Sequence, residues 1–238
     1  MKKLILSVIL LLFAASNVIF AASQSNKVAS TEKSEWLPSF TAIEVSAALD
    51  IVFVKVPTSD APKIVYDTKG SYTTKFEFKV KDKVLHITER VDPRRPERTT
   101  VKVYYNTVDY VSVAEATASF EGTVKATTLD LAIGARASLT AALDVKDLDV
   151  KLTGRSTATL SGSVRYLTLA VSTGKADALQ LETMSADVDA SNNGTASLSV
   201  TERLCVTTTT GGKVNYKGQP EIVRGGAKFM GGDIKRIQ

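Results

Sequence analysis

The chain has 238 residues, a formal net charge of +5, one cysteine and one histidine. A lone cysteine excludes an internal disulfide, and one His with one Cys cannot supply the three or four N/S ligands of an ordinary zinc site. Without Lys2 and Lys3 the charge falls to +3, too weakly basic for a nucleic-acid footprint.

Met1-Lys2-Lys3 followed by LILSVILLLFAA (4–15) and by small residues at Ala21, Ala22 and Ser23 predicts a signal peptide over 1–22, cut near 21–23. An uncleaved anchor is the alternative, because the apolar run continues through Val18, Ile19 and Phe20 and nearly reaches bilayer length. No later segment is apolar enough to cross, so membrane contact is expected only through this leader. The expected address is the periplasm, the outer membrane surface or the medium. The polar stretch 23–36 (SQSNKVASTEKSEW) has no hydrophobic period and reads as a flexible linker.

From residue 37 the pattern turns to strands. DIVFVKV (50–56), KIVY (63–66), KFEFKV (75–80), VLHIT (84–88) and TVKVYY (100–105) are β-branched and aromatic runs between turn formers. Lys81-Asp82-Lys83 reads as a tight hairpin, and VDPRRPERTT (91–100) as a loop. An antiparallel meander is expected over 37–107.

Residues 108–225 carry a repeat. Units begin at Leu129, Leu148, Leu167, Ala186 and Leu204, and glycines recur at Gly134, Gly154, Gly174, Gly194 and Gly212. A fixed period near 19 residues signals a stacked-repeat architecture. Within a unit, Leu148, Val150 and Leu152 alternate with Asp149 and Lys151, which is strand periodicity. A second strand follows each glycine, with Leu139, Leu160, Leu179, Leu198 and Tyr216 expected to face inward. The glycines are expected at corners, where positive φ suits them. The fold expected is all-β: a right-handed parallel β-helix or solenoid with rungs of about 19 residues, capped by the N-terminal meander. A sandwich also alternates, but it does not demand two strands and a corner in fixed order. The 226–238 tail reads equally as a last strand or a free end.

FTAIEVSAALDIVFVKV (40–56), the hairpin VKDKVLHIT (80–88), the turns LTGRSTATL, VSTGKADAL and ASNNGTASL, and the closing GGKVNYKGQPEI (211–222) together resemble the putative auto-transporter adhesin head GIN domain. That is a domain of unknown function in envelope proteins of Bacteroidetes-type bacteria, and the resemblance covers nearly all of 37–225. It implies a secreted β-helical fold. The chain departs from the family's Ser-Gly-Ser-Gly corners at AIGAR (132–136) and TTTTGG (207–212).

Catalytic signals are thin. His86 in VLHIT is the one histidine base, with no nucleophile elbow to accompany it, and reads as an ordinary strand residue; no catalytic residue and no cofactor are expected. Cys205 is expected to point outward. The second residues of successive units, Asp130, Asp149, Thr168, Asp187 and Cys205, form a predicted outward column, with Asp189 beside Asp187 and Lys151 one place over. Such carboxylates are weak calcium candidates: the ion takes six to eight oxygens, and Thr168 interrupts the column. Solubility and edge protection account for the charges better. A second outward column, Ser138, Thr159, Ala178, Ser197 and Asn215, with Thr140, Ser161, Gln180, Ser199 and Lys217 beside it, would present hydroxyls and amides to an envelope glycan or protein. Arg90, Arg94, Arg95 and Arg98 around the 91–100 loop would suit phosphates. The expected function is a non-enzymatic envelope interaction or scaffold module, adhesin-like. The alternative is a secreted carbohydrate-active enzyme using the Asp column, with calcium. Homo-oligomerisation through the final rung, near TTTT (207–210) and Tyr216, is a third reading.

Overall fold

In the computed structural model, the structure describes residues 31–69, 75–90, 97–229 and 231–238. The stretch expected to be a signal peptide and Arg94 and Arg95 lie outside them. Among the described residues there are sixteen strands and no helix, and the strands form one connected sheet. In chain order they are β1 (Lys33–Trp36), β2 (Ala42–Ser46), β3 (Asp50–Lys55), β4 (Lys63–Asp67), β5 (Phe76–Lys81), β6 (Val84–Glu89), β7 (Thr100–Tyr105), β8 (Tyr110–Ala114), β9 (Thr117–Gly134), β10 (Ser138–Leu152), β11 (Thr157–Ser172), β12 (Lys175–Ser191), β13 (Thr195–Thr209), β14 (Gly212–Lys217), β15 (Ile222–Phe229) and β16 (Gly232–Arg236).

β9 to β13 are the rungs of a parallel solenoid of about six turns. Leu129 pairs in register with Leu148, Leu148 with Leu167, Leu167 with Ala186, Ala186 with Leu204 and Leu204 with Val223. All but Val223 are buried. Each rung bends between its apolar sets, so inward parity switches: in β10, Leu139 to Val145 face inward at odd positions, and Leu148 to Leu152 at even ones. Strand period two holds along each side, and the bend at Lys146–Asp147 resets its phase.

The second inward set stacks differently from the expectation. Leu139 lies in a file with Ala118, Ala158, Ala176, Ala196 and Val214. Leu179 is only half-buried, and Ala178 takes the inward position. The cause is a bulge. Thr159 to Ser161 on β11 is matched by Asp177 to Gln180 on β12, one residue more, and an extra residue displaces its neighbours from the ladder.

The corner glycines also act otherwise than expected. Of the five, only Gly154 has a positive φ (62°); the left-handed positions fall instead on Ala135, Arg136, Arg155, Thr173, Asn192, Asn193 and Thr210. What requires glycine is close approach. At Gly194 a Cβ would sit 2.8 Å from the Ser191 oxygen, 2.9 Å from the Val171 carbonyl carbon and closer still to the Val171 oxygen. All three are backbone atoms that cannot swing away.

The N-terminal region is not a simple antiparallel meander. β2 lies parallel between β6 and β8, and β3 lies parallel between β7 and β9. The rung first in sequence, β2–β3, is thus second in space, and β6–β7 continues the stack beyond it. Only the outer strands run antiparallel: β5 on β6, β4 on β7, and β1 on β4. The hairpin joining β5 to β6 turns on Asp82 and Lys83, both at positive φ (52° and 63°), as a two-residue hairpin requires. Tyr66, Phe76 and Phe78 pack with ring centroids 4.9–5.8 Å apart and bridge the two covering strands. β1 falls inside the stretch expected to be a flexible linker. Its Glu35 accepts a 2.8 Å hydrogen bond from the Tyr66 hydroxyl, and its Trp36 ring takes Lys63 Nζ at 5.7 Å. At the other end, β15 lies on β13 and β16 on β14, so part of the tail is a last strand.

Candidate functional site

Parallel in-register stacking converts equivalent positions into files of side chains about 4.8 Å apart. Two polar files stand out. The first runs Tyr110, Asp130, Asp149, Thr168, Asp187, Cys205, Arg224. Asp130 and Asp149 are neighbours in it, but Thr168 separates them from Asp187. Each acid beyond Asp130 has a cation: Lys151 Nζ lies 3.6 Å from Asp149, and the Arg203 guanidinium donates to both oxygens of Asp187 at 3.1 and 3.2 Å. Asp189 lies one file over, in register with Ala170 and Thr207. Among the described residues no group of three or more His, Cys, Asp or Glu is placed to hold a metal ion. The file is a ladder of separated charges rather than a chelate.

The second file runs Ser119, Thr140, Thr159, Asp177, Ser197, Asn215, Lys235. It keeps Thr159, Ser197 and Asn215 of the expected column. Thr140 replaces Ser138, which pairs with Thr157, and Asp177 replaces the buried Ala178. Asn215 Nδ2 donates to Ser197 Oγ at 3.4 Å, so neighbouring members hold one another across rungs.

Arg98, partly exposed, is engaged within the molecule. Its guanidinium donates to Asp50 Oδ1 and Thr117 Oγ1 at 3.0 Å, to the Glu115 carbonyl at 2.8 Å and to the Ala48 carbonyl at 3.3 Å. It therefore ties the end of the 91–100 loop to two rungs. His86 is partly exposed, with Nδ1 3.1 Å from Glu44 Oε2 on the neighbouring strand, and no serine or cysteine accompanies it in that contact. Cys205 is half-buried in the first file.

Sequence reasoning missed a shallow groove of about 520 Å³ along the bend of the rungs. It is lined by Asp144, Lys146, Ser163, Arg165, Glu182 and Met184, among others. Tyr166, 47% exposed, follows Arg165 and shares a file with Asp147, Ser185 and Arg203. The signal available was the switch of parity at 146, 165 and 184, where alternation breaks and the chain must turn. Asp144, Ser163 and Glu182 share one file of the groove and Lys146 and Arg165 stand side by side in the next, with Lys125 Nζ 3.6 Å from Asp144. Asp144 and Glu182 are separated by the Ser163 rung, so these two carboxylates do not converge on a common point.

The sequence profile described as "Putative auto-transporter adhesin, head GIN domain" matches residues 39–220. No curated protein matches the chain. Among solved structures, the chain is similar to a putative adhesin from Bacteroides fragilis, with TM-score 0.76, 18% identity, and 87% of this chain and 96% of that one covered. It is similar to a putative adhesin from Parabacteroides distasonis at TM-score 0.69 and 18% identity, with 87% and 96% covered. A third, from Parabacteroides merdae, stands at TM-score 0.66 and 17% identity, with 87% and 95% covered. At such identities the likeness establishes the fold, and a ligand has to be argued from the site itself.

Proposed function

The chain belongs to the putative auto-transporter adhesin, head GIN domain family, and from that premise we propose that it is an exported, non-enzymatic interaction module of the cell envelope. The observation that supports this most is the second polar file. From Ser119 to Asn215 it sets six polar side chains on six consecutive levels, a line about 24 Å long at the spacing of paired strands. The backbone ladder beneath holds that line rigid, so a polymer laid along it meets hydroxyls, a carboxylate and an amide without further ordering of the protein. Individually modest hydrogen bonds then add along one ligand. An extended envelope glycan or protein strand fits this geometry. The dispersed, cation-paired carboxylates of the other file suit solubility better than the paired acid–base work of a glycosidase.

The test is binding of the purified protein, from residue 23 onward, to isolated cell envelopes. Thr159→Arg combined with Ser197→Arg places two bulky cations in mid-file without touching the core. Binding at least tenfold weaker, with an unchanged circular dichroism spectrum, is expected. Undiminished binding by this folded variant removes the file as the contact surface.

A further inference from the structure

The two ends of the solenoid are finished differently. At the N-terminal end β5 and β4 run antiparallel over the stack's last parallel strands, β6 and β7. At the C-terminal end β15 and β16 are the outermost strands, each paired on one side only. Val223 follows Leu204 in the inward file yet is 50% exposed, and its neighbour Ile222 is 42% exposed. Val223 thus marks where the core runs out uncovered. Together they are two of the four exposed large hydrophobic residues among those described.

Charge is polarised in the same direction. Residues 100–199 carry eight Lys/Arg against eleven Asp/Glu, whereas residues 200–238 carry seven against three. Exposed Arg224 on β15 lies on the same level as exposed Lys213 and Lys217 on β14, and exposed Lys235 and Arg236 lie on β16, one level further out. Among the described residues no ion pair forms at any of these five, whereas Arg203 is taken by Asp187.

From this juxtaposition of two exposed aliphatic side chains on β15, Val223 at the open core and Ile222 on the outward side of the same strand, with five exposed cations at the open end of the stack, we infer that the C-terminal end docks on an anionic phospholipid surface. A bilayer interface answers both halves of the patch: phosphates and acidic headgroups meet the cations, and the glycerol–acyl boundary takes Ile222 and Val223. A soluble acidic polymer would satisfy the cations and leave the aliphatic pair in water. A second copy of this end would bring two like-charged surfaces together. Docked in this way, the protein keeps both polar files on its flanks, away from the membrane plane. The peripheral contact adds to the membrane association that the sequence confines to the leader, and it is independent of the ligand assigned to the flanks.

The test is co-sedimentation with vesicles, using the chain from residue 23 because the apolar leader would bind lipid by itself. Thr31–Gln238 forms one compact unit. Vesicles of three parts phosphatidylcholine to one part phosphatidylglycerol are compared with pure phosphatidylcholine, at low and high salt. Binding to the anionic vesicles alone, weakened by salt, is expected. Each basic side chain near such a surface contributes about fivefold in partition, so Arg224→Ser with Lys235→Ser and Arg236→Ser should lose about 100-fold. Ile222→Ser with Val223→Ser should weaken binding while leaving its salt dependence. Equal binding to both vesicle types, wild-type binding by the folded triple variant, or retention on dextran sulfate without vesicle binding would each overturn the inference. Self-association that the triple variant strengthens would reassign the end to a second copy of the chain and overturn it too.

Discussion

Gly194→Ala is the substitution that best separates close approach from conformational freedom as the reason for the periodic glycines. Gly194 is buried and its φ lies outside the left-handed region, so alanine meets no intrinsic backbone penalty there. On conformational entropy alone, replacing glycine would stabilise the fold by about 0.4–1 kcal/mol through the unfolded chain. Against that stands the added methyl, 2.8 Å from the Ser191 oxygen and 2.9 Å from the Val171 carbonyl carbon. Relieving such contacts means moving one rung against the next, and overpacking of this kind costs about 1–3 kcal/mol. The net expectation is destabilisation by about 1–2 kcal/mol. Gly226→Ala is the internal control: a Cβ there meets nothing within 4 Å and φ is again unexceptional, so only the entropic gain remains. Urea denaturation followed by circular dichroism reads both, with m values checked for constancy. If the two midpoints move in the same direction, rung-to-rung crowding is not what demands glycine at the corner.

Three further outcomes are expected. Leu167→Ala removes a buried side chain stacked between Leu148 and Ala186; it should cost about 2–5 kcal/mol, read as a lower denaturation midpoint, while exposed Thr168→Ala should cost well under 1 kcal/mol. Arg98→Ala should cost about 0.5–1.5 kcal/mol because four partly solvated acceptors lose their donor, and envelope binding should survive; a neutral effect on the midpoint would refute the tie. Burial pushes the Tyr105 phenol up to about 12, and burial together with Glu35 does the same to Tyr66. The neutral forms are favoured in the fold, so this stability is full below pH 10 and is lost as pH rises from 10 toward 12; ultraviolet titration should show Tyr66 and Tyr105 ionising late and together with unfolding.

The repeat was legible because each rung buries the same side of the chain at the same interval. Leu129, Leu148 and Leu167 recur at fixed spacing and do pile up in register. The period alone did not reveal its one-residue insertion: counting forward from Leu160 lands on Leu179, and only the ladder shows that the bulge turns Ala178 inward. The N-terminal strands were visible as strands, but alternation is the same whether a neighbour runs parallel or antiparallel. That β2 is sandwiched in parallel between β6 and β8 depends on contacts across more than 40 residues. Arg98 shows the same limit. Its charge suggested a partner outside the molecule, and its actual partners come from two separate stretches of chain, 48–50 and 115–117. The groove beside Tyr166 was hidden because it lies where the pattern fails rather than where it holds.

The asymmetry of the ends follows from how a solenoid solves its edge problem. Every interior rung satisfies its backbone groups upward and downward, so only the terminal levels present unpaired donors and acceptors, and those are what invite another chain to add on. At the N-terminal end the covering strands are antiparallel, which breaks the register a further parallel rung would need, and Tyr66, Phe76 and Phe78 pack across them. No such lid lies over β15 and β16 among the described residues. Instead the edge carries Arg224, Lys235 and Arg236, and edge charges oppose strand addition without satisfying the backbone. A purely protective edge has no reason to keep Ile222 and Val223 exposed among those charges. That combination separates a surface built for an interface from one built only to stay apart.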